Sequence, residues 1–124
     1  MLSELVRQPQ GAVAGRLSAC GEQAVCTSIV VSSELRYGAA KSSSQRLRRR
    51  VDALLSALEV LPLEPPADVH YATIRAHLAR RGIPIGPNDL LIAAHAKCLG
   101  LVVVTANEGE FRRVPGLAVE NWLR

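Results

Sequence analysis

The sequence has few aromatic residues: its 124 residues include one Trp, one Phe and two Tyr. Proteins that bind RNA or DNA by stacking successive bases need a row of exposed aromatic side chains. Such a row is excluded here, so any contact with nucleic acid is expected to run through phosphates or through shape.

Cysteine is also scarce, and the chain has no long apolar run. The three cysteines, Cys20, Cys26 and Cys98, are odd in number and form no Cys-x-x-Cys pair, which argues against a disulfide framework and against a thiolate zinc site. No apolar run approaches the roughly 20 residues that a transmembrane helix needs, and the first residues lack a signal-peptide pattern. We therefore expect a soluble protein of a reducing, cytoplasmic compartment.

The chain does have enough apolar residues for one core. Hydrophobic residues make up 48% of the sequence and charged residues 21%, which is typical of a folded protein. The length suits a single domain over residues 1–124. The net charge of +4 is a mild basic excess that favours polyanionic partners without identifying one.

Short runs of β-branched residues alternate with helical patterns. Strands are predicted at 25–31, 59–63 and 101–104, with an edge strand at 117–122. The predicted helices cover residues 2–7, 12–20, 34–37, 47–58, 66–82 and 90–99. Ser32 and Ser33 are expected to cap the helix that follows them, and the helix at 66–82 has Val69, Ile74 and Leu78 as its apolar positions. The alternation predicts an α/β fold with an open parallel sheet and helices on both faces.

Three polar residues lie where such folds place their sites, beyond the carboxyl ends of the strands. Glu34 follows the first predicted strand, Asp89 opens the apolar helix at 90–99, and Asn107 follows the valine-rich strand. Carboxylate and amide oxygens that meet in a cleft are hard ligands that suit Mg²⁺ or Mn²⁺. An ion held there could activate water and neutralise charge on a phosphate.

Each of these residues also has an ordinary structural explanation. Glu34 and Asp89 suit the first turn of a helix, where the helix dipole favours a carboxylate by about 0.3–1 kcal/mol. Asn107 suits a turn after a strand. Position alone does not decide between these explanations and a metal site.

The strongest charge feature is a basic run at residues 46–50, which contains Arg46, Arg48, Arg49 and Arg50. Arginine can hold phosphate through paired hydrogen bonds, so contact with RNA or DNA is one interpretation. The other is the solvated back of an amphipathic helix. The three histidines lack the spacing of zinc ligands and are interpreted as structural or surface residues.

Three ordered blocks of the sequence resemble the PIN-domain ribonucleases, and in particular the VapC toxins of type II toxin–antitoxin systems. The blocks lie at 33–41, with Glu34-Leu35-Arg36-Tyr37-Gly38 at their centre, at 84–96, and at 104–111. With residues 114–117 and 120–122, the resemblance covers nearly the whole chain.

The resemblance implies a PIN-like three-layer sandwich and Mg²⁺- or Mn²⁺-dependent endonucleolytic cleavage of RNA. Glu34 and Asp89 match acids of the family that hold the metal, and Asn107 falls where the family has Asp or Asn. These three are the predicted catalytic residues, with Glu34 and Asp89 as metal ligands. Glu108 and Glu110 are nearby carboxylates that rank below them.

The resemblance also implies partners. These are a VapB-type antitoxin, a second copy of the chain as a homodimer, and an RNA substrate, with operator DNA reached only through the antitoxin and no membrane. The blocks around Glu34 and Gly86 look most like the subgroup that cuts initiator tRNA.

The departure from the family is at the front of the sequence. Family members begin with an apolar strand that ends in Leu-Asp-Thr-Asn, whose Asp is the first metal ligand, and this strand is expected to be missing here. We expect the true start to lie upstream; otherwise the gene encodes a degraded toxin or a diverged binding protein. The leading interpretation is therefore a ribonuclease toxin. The alternatives are an inactive PIN domain that binds antitoxin or RNA, and an α/β regulator that binds DNA through residues 46–50.

Overall fold

The computed structural model describes residues 15–16, 19 and 25–123. The helices predicted at 2–7 and 12–20 lie outside the described residues, apart from residues 15, 16 and 19. The chain divides into two compact units, the first described over residues 25–62 and the second over Leu63–Trp122. The single domain over residues 1–124 stays a prediction.

Over residues 25–62, the first unit consists of a strand, two helices and a second strand. Strand β1 (Cys26–Ser28) leads into helix α1 (Ile29–Lys41), which is followed by helix α2 (Gln45–Ala57) and strand β2 (Glu59–Leu61). The two strands pair in parallel, with Thr27 opposite Val60. The core of this unit is formed by Ala39, Val51 and Leu55.

The boundary between β1 and α1 differs from the prediction. The strand ends at Ser28, and the β-branched residues at 29–31 are helical, because the Ser28 hydroxyl accepts a hydrogen bond from the Val30 N–H at 3.1 Å and caps the helix there. Ser32 and Ser33, the predicted caps, lie inside α1 instead. Ser32 is buried, and the Ser33 hydroxyl donates to the Ile29 carbonyl at 2.7 Å.

Helix α2 confirms the amphipathic pattern. The Ser44 hydroxyl accepts from the Leu47 N–H at 3.1 Å and starts the helix directly after the polar break. Val51 and Leu55, four residues apart, are its buried positions, so one face packs on the core while the arginine-bearing remainder is partly or fully exposed.

The second unit contains three helices and two short strands. Helices α3 (Ala67–Arg80) and α4 (Pro87–Leu99) pack on each other, and strand β3 (Val103–Val104), helix α5 (Glu108–Phe111) and strand β4 (Val119–Glu120) follow. Strands β3 and β4 pair in parallel, with Val103 opposite Val119. Both described strand pairs are thus parallel, as the alternation predicted, although they form two separate two-stranded sheets and not the one open sheet that was expected. The core contains Leu78, only 1% exposed, together with Ile74, Leu90, Ala93 and Phe111.

Two apolar segments of the second unit lie on its surface. Val69 is 61% exposed because it lies across the α3 axis from the buried stripe of Ala67, Ile74 and Leu78, whose spacing is seven and four residues. Leu101 and Val102 precede β3 rather than belonging to it. Gly100 ends α4 at φ 68°, and the Leu101 N–H donates back to the Ala96 carbonyl at 2.9 Å. This N–H is therefore not available for pairing with β4, and β3 begins only at Val103.

Within the part of the chain that the structure describes, no helix combines the length and the apolar character needed to cross a membrane.

Candidate functional site

The amino end of α4 presents the first carboxylate of the site. Pro87 occupies the first position of this helix, where its fixed φ favours a helical start and its missing N–H costs nothing. The Leu90 N–H donates to the Gly86 carbonyl at 2.9 Å, which closes the first turn. Asp89 lies in that turn with its side chain half-buried.

Asn107 reaches the same place from the carboxyl end of β3. The pairing with β4 continues for one residue beyond β3, since the Thr105 N–H donates to the Glu120 carbonyl at 2.9 Å. The Thr105 hydroxyl in turn accepts from the Asn107 N–H at 2.9 Å. This short turn fixes the backbone at Asn107, whose side chain makes no capping bond to α5.

The side-chain amide of Asn107 joins two carboxylates. Its Nδ2 atom donates to Asp89 Oδ2 at 3.1 Å and to Glu110 Oε2 at 3.0 Å. Two acidic side chains from different helices therefore converge on one point. We call Asp89 and Glu110 the acidic pair, and Asn107 provides its bridging amide.

Several donors around Glu110 favour its charged form. A hydrogen bond with the Asp89 side chain lowers the pKa of Glu110, and the Gly86 N–H, the Asn107 amide and the charge of Arg113 lower it further, against the opposing effect of burial. Arg113 also donates to the Pro84 carbonyl at 2.9 Å. The segment around α5 is thus tied to the loop that opens α4.

The donor set fits a small hard cation. Mg²⁺ is commonly bound in proteins through one or two carboxylates, with waters completing the octahedron, and here two carboxylate oxygens converge on the N–H₂ group of Asn107. Within the described residues no group of three or more His, Cys, Asp and Glu side chains is placed to hold a metal ion. An ion held by these two carboxylates would replace their hydrogen bonds to Asn107 and would keep most of its water.

Two of the three predicted site residues are brought together. Asp89 and Asn107 are in direct contact, although Asn107 offers its N–H₂ group to the carboxylates rather than its oxygen. Glu34 lies in the first unit, exposed on α1. Its predicted role at the metal stays a prediction.

Glu110, which the sequence analysis placed below the three predicted residues, also contacts Asn107. The signal was its spacing, because a residue three positions after Asn107 comes back to the same side of a helical turn. Glu108, ranked with it, turns elsewhere and pairs with Arg112 at 3.2 Å.

The arginine run is divided between structure and surface. Arg48 Nε donates to the Ala39 carbonyl at 3.2 Å, and its guanidinium also donates to the Ser42 carbonyl, so this side chain caps the carboxyl end of α1. Arg46 and Arg49 are exposed. One member of the predicted phosphate-binding run is therefore part of the scaffold.

The two cysteines in the described residues, Cys26 and Cys98, are free and half-buried. Burial, and then the nearby charge of Glu59, raise the pKa of the Cys26 thiol. Cys26 is therefore kept as a neutral thiol, which fits its interpretation as a small packing residue.

Comparisons with known proteins agree on one family. The model of the PIN domain matches residues 4–117. The chain is 48% identical to the tRNA(fMet)-specific endonuclease VapC of Salmonella typhimurium over 99 residues, 79% of this chain and 75% of that protein. It is 38% identical to Ribonuclease VapC2 of Rickettsia felis over 99 residues, 79% of this chain and 74% of that protein.

Solved structures give the same result for the fold. A crystal structure of DNA-bound VapBC from Salmonella typhimurium matches with a TM-score of 0.91 at 39% identity, covering 98% of this chain and 92% of the matched chain. VapBC2 from Rickettsia felis, bound to a promoter DNA fragment, matches with a TM-score of 0.90 at 32% identity, covering 98% and 92%. The predicted PIN-like α/β fold is confirmed.

Proposed function

The chain belongs to the PIN-domain family, and within it to the VapC ribonucleases, and from that premise we propose that it is a metal-dependent endoribonuclease toxin whose substrate is initiator tRNA. The observation that carries the proposal is the convergence of Asp89 and Glu110 on one point at the amino end of α4. The substrate is proposed because a relative at 48% identity is named for tRNA(fMet).

We assign the metal-holding role to Asp89 and Glu34, with Glu110 as a further carboxylate. Mg²⁺, or Mn²⁺ in its place, would supply positive charge at the scissile phosphate and make water more acidic. Asn107 orients the Asp89 and Glu110 carboxylates through its two hydrogen bonds. Arg113 fixes the loop at Pro84, from which α4 and Asp89 start.

The partners follow from the same premise. The matched structures are VapBC complexes, which supports a VapB-type antitoxin as the partner of this chain. We propose a homodimer as the working form, and contact with operator DNA only through the antitoxin.

The test is cleavage of initiator tRNA by the purified chain, with elongator methionine tRNA as the matched substrate and EDTA as the metal-free condition. The proposal expects Mg²⁺-dependent cuts in initiator tRNA. Asp89→Asn and Glu34→Gln should each lower the cleavage rate by about 100-fold or more, because each removes a charge at the reacting centre.

Asp68→Asn is the control for Asp89→Asn. Both acids lie in the first turn of a helix of the second unit, and Asp68 is exposed on α3 without belonging to the acidic pair. It should cleave like wild type. Equal activity in wild type, Glu34→Gln and Asp89→Asn would sink the ribonuclease proposal and leave an inactive PIN domain that binds antitoxin or RNA.

A further inference from the structure

Helix α1 exposes an aromatic side chain that the core of its unit does not use. Of the four aromatic residues in the chain, Phe111 and Trp122 are buried, and Tyr71 is half-buried with its hydroxyl accepting from Arg75 at 2.9 Å. Tyr37 is 66% exposed. Burial of an aromatic ring away from water is favourable, so a ligand that covers the Tyr37 ring would gain binding free energy.

Charged residues lie beside this ring on the same side of the helix. Lys41 Nζ, one turn further along α1, lies over the Tyr37 ring at 5.0 Å from its centroid, so one face of the ring is in contact with the ammonium. Glu34 is one turn earlier. Because residues three and four positions apart are neighbours on a helix surface, these three side chains share one face. We call this surface, with Gly38, the Tyr37 face.

Gly38 is the least expected residue of the Tyr37 face. Glycine inside a helix is destabilising relative to alanine, because it loses more backbone entropy on folding. The φ angle of Gly38 is not positive, and a Cβ built on it meets no described atom within 4 Å. Neither the backbone nor the described packing therefore requires glycine here. Its remaining use is to let another chain approach the helix closely, between Glu34 and Lys41.

We propose that the Tyr37 face binds one unpaired nucleotide of the RNA substrate. The base stacks on the face of the Tyr37 ring that Lys41 does not cover, the Lys41 ammonium contacts a phosphate, and Gly38 leaves room for the sugar–phosphate chain. This inference rests on the proposed ribonuclease function and specifies how its substrate is held beside Glu34. Tyr37 and Lys41 are thus substrate-positioning residues, and the RNA they accept is single-stranded or looped at that nucleotide.

The chemistry of the face favours a nucleotide over an apolar peptide. A π surface for the base and a cation for the neighbouring phosphate are the two elements by which proteins hold single-stranded nucleic acid. One such position is compatible with the low aromatic content, which excludes only a row of them.

The first test is RNA binding by the full chain in EDTA, where cleavage does not interfere. Fluorescence anisotropy would follow a labelled RNA stem-loop with a single-stranded loop. Stacking of one base is worth about 1–3 kcal/mol, so Tyr37→Ala should weaken binding about 5- to 150-fold, while Tyr37→Trp should retain it. Val69→Ala, a change of an equally exposed apolar side chain on α3, should bind like wild type.

A set of the same RNA with one abasic nucleotide at each loop position locates the stacked base. Wild type should lose affinity at one position. Tyr37→Ala should bind that abasic RNA as well as it binds the intact RNA. The variant has no ring, so removing the base from the RNA removes no further contact. Lys41→Ala should reduce the salt dependence of binding by about one phosphate contact.

Gly38→Ala gives a second test, in which stability and binding change in opposite directions. It should raise the midpoint of thermal unfolding by about 2–5 °C through helix propensity and weaken RNA binding through the added methyl group. Ser56→Ala, on an exposed position of α2, should also favour the helix and leave RNA binding unchanged.

Unchanged RNA affinity in Tyr37→Ala, or an absence of RNA binding by wild type, would overturn the proposal. If Tyr37→Ala instead no longer binds a VapB-type antitoxin while its RNA affinity stays the same, the face docks a protein and the proposal is wrong. Failure of the ribonuclease proposal is separate, since it shows as RNA bound in EDTA but not cut in Mg²⁺.

Discussion

At the scale of single residues, the acidic pair is held together by an amide. Asn107 Nδ2 lies 3.1 Å from Asp89 Oδ2 and 3.0 Å from Glu110 Oε2, so its two N–H groups stabilise negative charge on the two acids. An amide carries no net charge, however. The pair therefore keeps an excess of negative charge that a divalent cation can neutralise.

Replacing the amide by an acid of the same shape tests this balance. Asn107→Asp removes both hydrogen bonds and adds a further negative charge, so we expect it to lower the free energy of unfolding in EDTA by about 1–2 kcal/mol. Mg²⁺ should restore more stability to the variant than it adds to wild type. Urea unfolding in EDTA and at several MgCl₂ concentrations measures both effects.

Gln45→Glu makes the same amide-to-acid change on α2 in the first unit and serves as the control. Its stability should not gain from Mg²⁺ beyond the gain of wild type. If Asn107→Asp is as stable as wild type in EDTA, the amide does not hold the pair as described.

The residues of this site were predictable to different degrees. Asp89 and Asn107 were found because each follows a recognisable signal, the start of an apolar helix and the end of a valine-rich strand. Glu110 was ranked lower because its role depends on Asp89 and Gly86, whose approach to α5 is a tertiary contact without a local signal. The bridging use of the Asn107 N–H₂ group was likewise invisible, since a sequence does not show which end of an amide faces a carboxylate.

At the scale of elements, the junction between α1 and α2 depends on one arginine. Arg48 reaches from α2 to the carbonyls of Ala39 and Ser42 at the end of α1, where the Ala39 carbonyl also accepts from the Ser42 N–H at 3.2 Å. Arg36 on α1 and Asp52 on α2 pair at 2.9 Å, but both are well exposed, so that ion pair contributes little.

Arg48→Ala should therefore destabilise the protein, whereas Arg49→Ala should not. Loss of charged hydrogen bonds to partly buried carbonyls costs about 1–3 kcal/mol, and an exposed arginine on the same helix stays within about 0.5 kcal/mol. Urea unfolding of the two variants gives the comparison. Equal stabilities would contradict the capping role.

For RNA binding we expect the opposite, with Arg49 contributing more than Arg48. Exposed Arg49 is the one available to a phosphate, so Arg49→Ala should reduce the salt dependence of RNA binding while folded Arg48→Ala retains it. Arg48→Lys separates the planar fork from simple charge, because a lysine ammonium cannot reproduce two donors in that geometry.

Element boundaries were the least predictable part of the fold. The alternation of strands and helices and the cap at Ser44 were readable because each is a local pattern. The β-branched residues at 29–31 became helical because a single Ser28 hydroxyl bond outweighs their small helix penalty, and strand and helix signals overlap there. Leu101 was lost from β3 for a similar reason, its N–H being used by the end of α4.

At the scale of the whole molecule, the order of three sequence blocks predicted the family and the fold. The same blocks do not show whether the chain unfolds in one cooperative step. The described chain divides into two compact units, each with its own parallel strand pair and its own core cluster. The prediction of one domain over 1–124 requires both cores to melt together. The single Trp of the chain, Trp122, is buried in the second unit and reports on that unit alone.

Leu55→Ala tests this prediction, because Leu55 belongs to the core of the first unit. Truncating a buried leucine costs about 2–5 kcal/mol. In a single cooperative domain the urea midpoint seen by Trp122 fluorescence must fall as far as the midpoint seen by far-UV circular dichroism, although the mutation lies in the other unit. Leu78→Ala, in the core of the second unit, should move both signals together in the same way. The contrary result is an unchanged urea midpoint of Trp122 fluorescence in Leu55→Ala, together with two steps in the circular dichroism. The two units would then unfold independently, and the predicted single domain would be wrong.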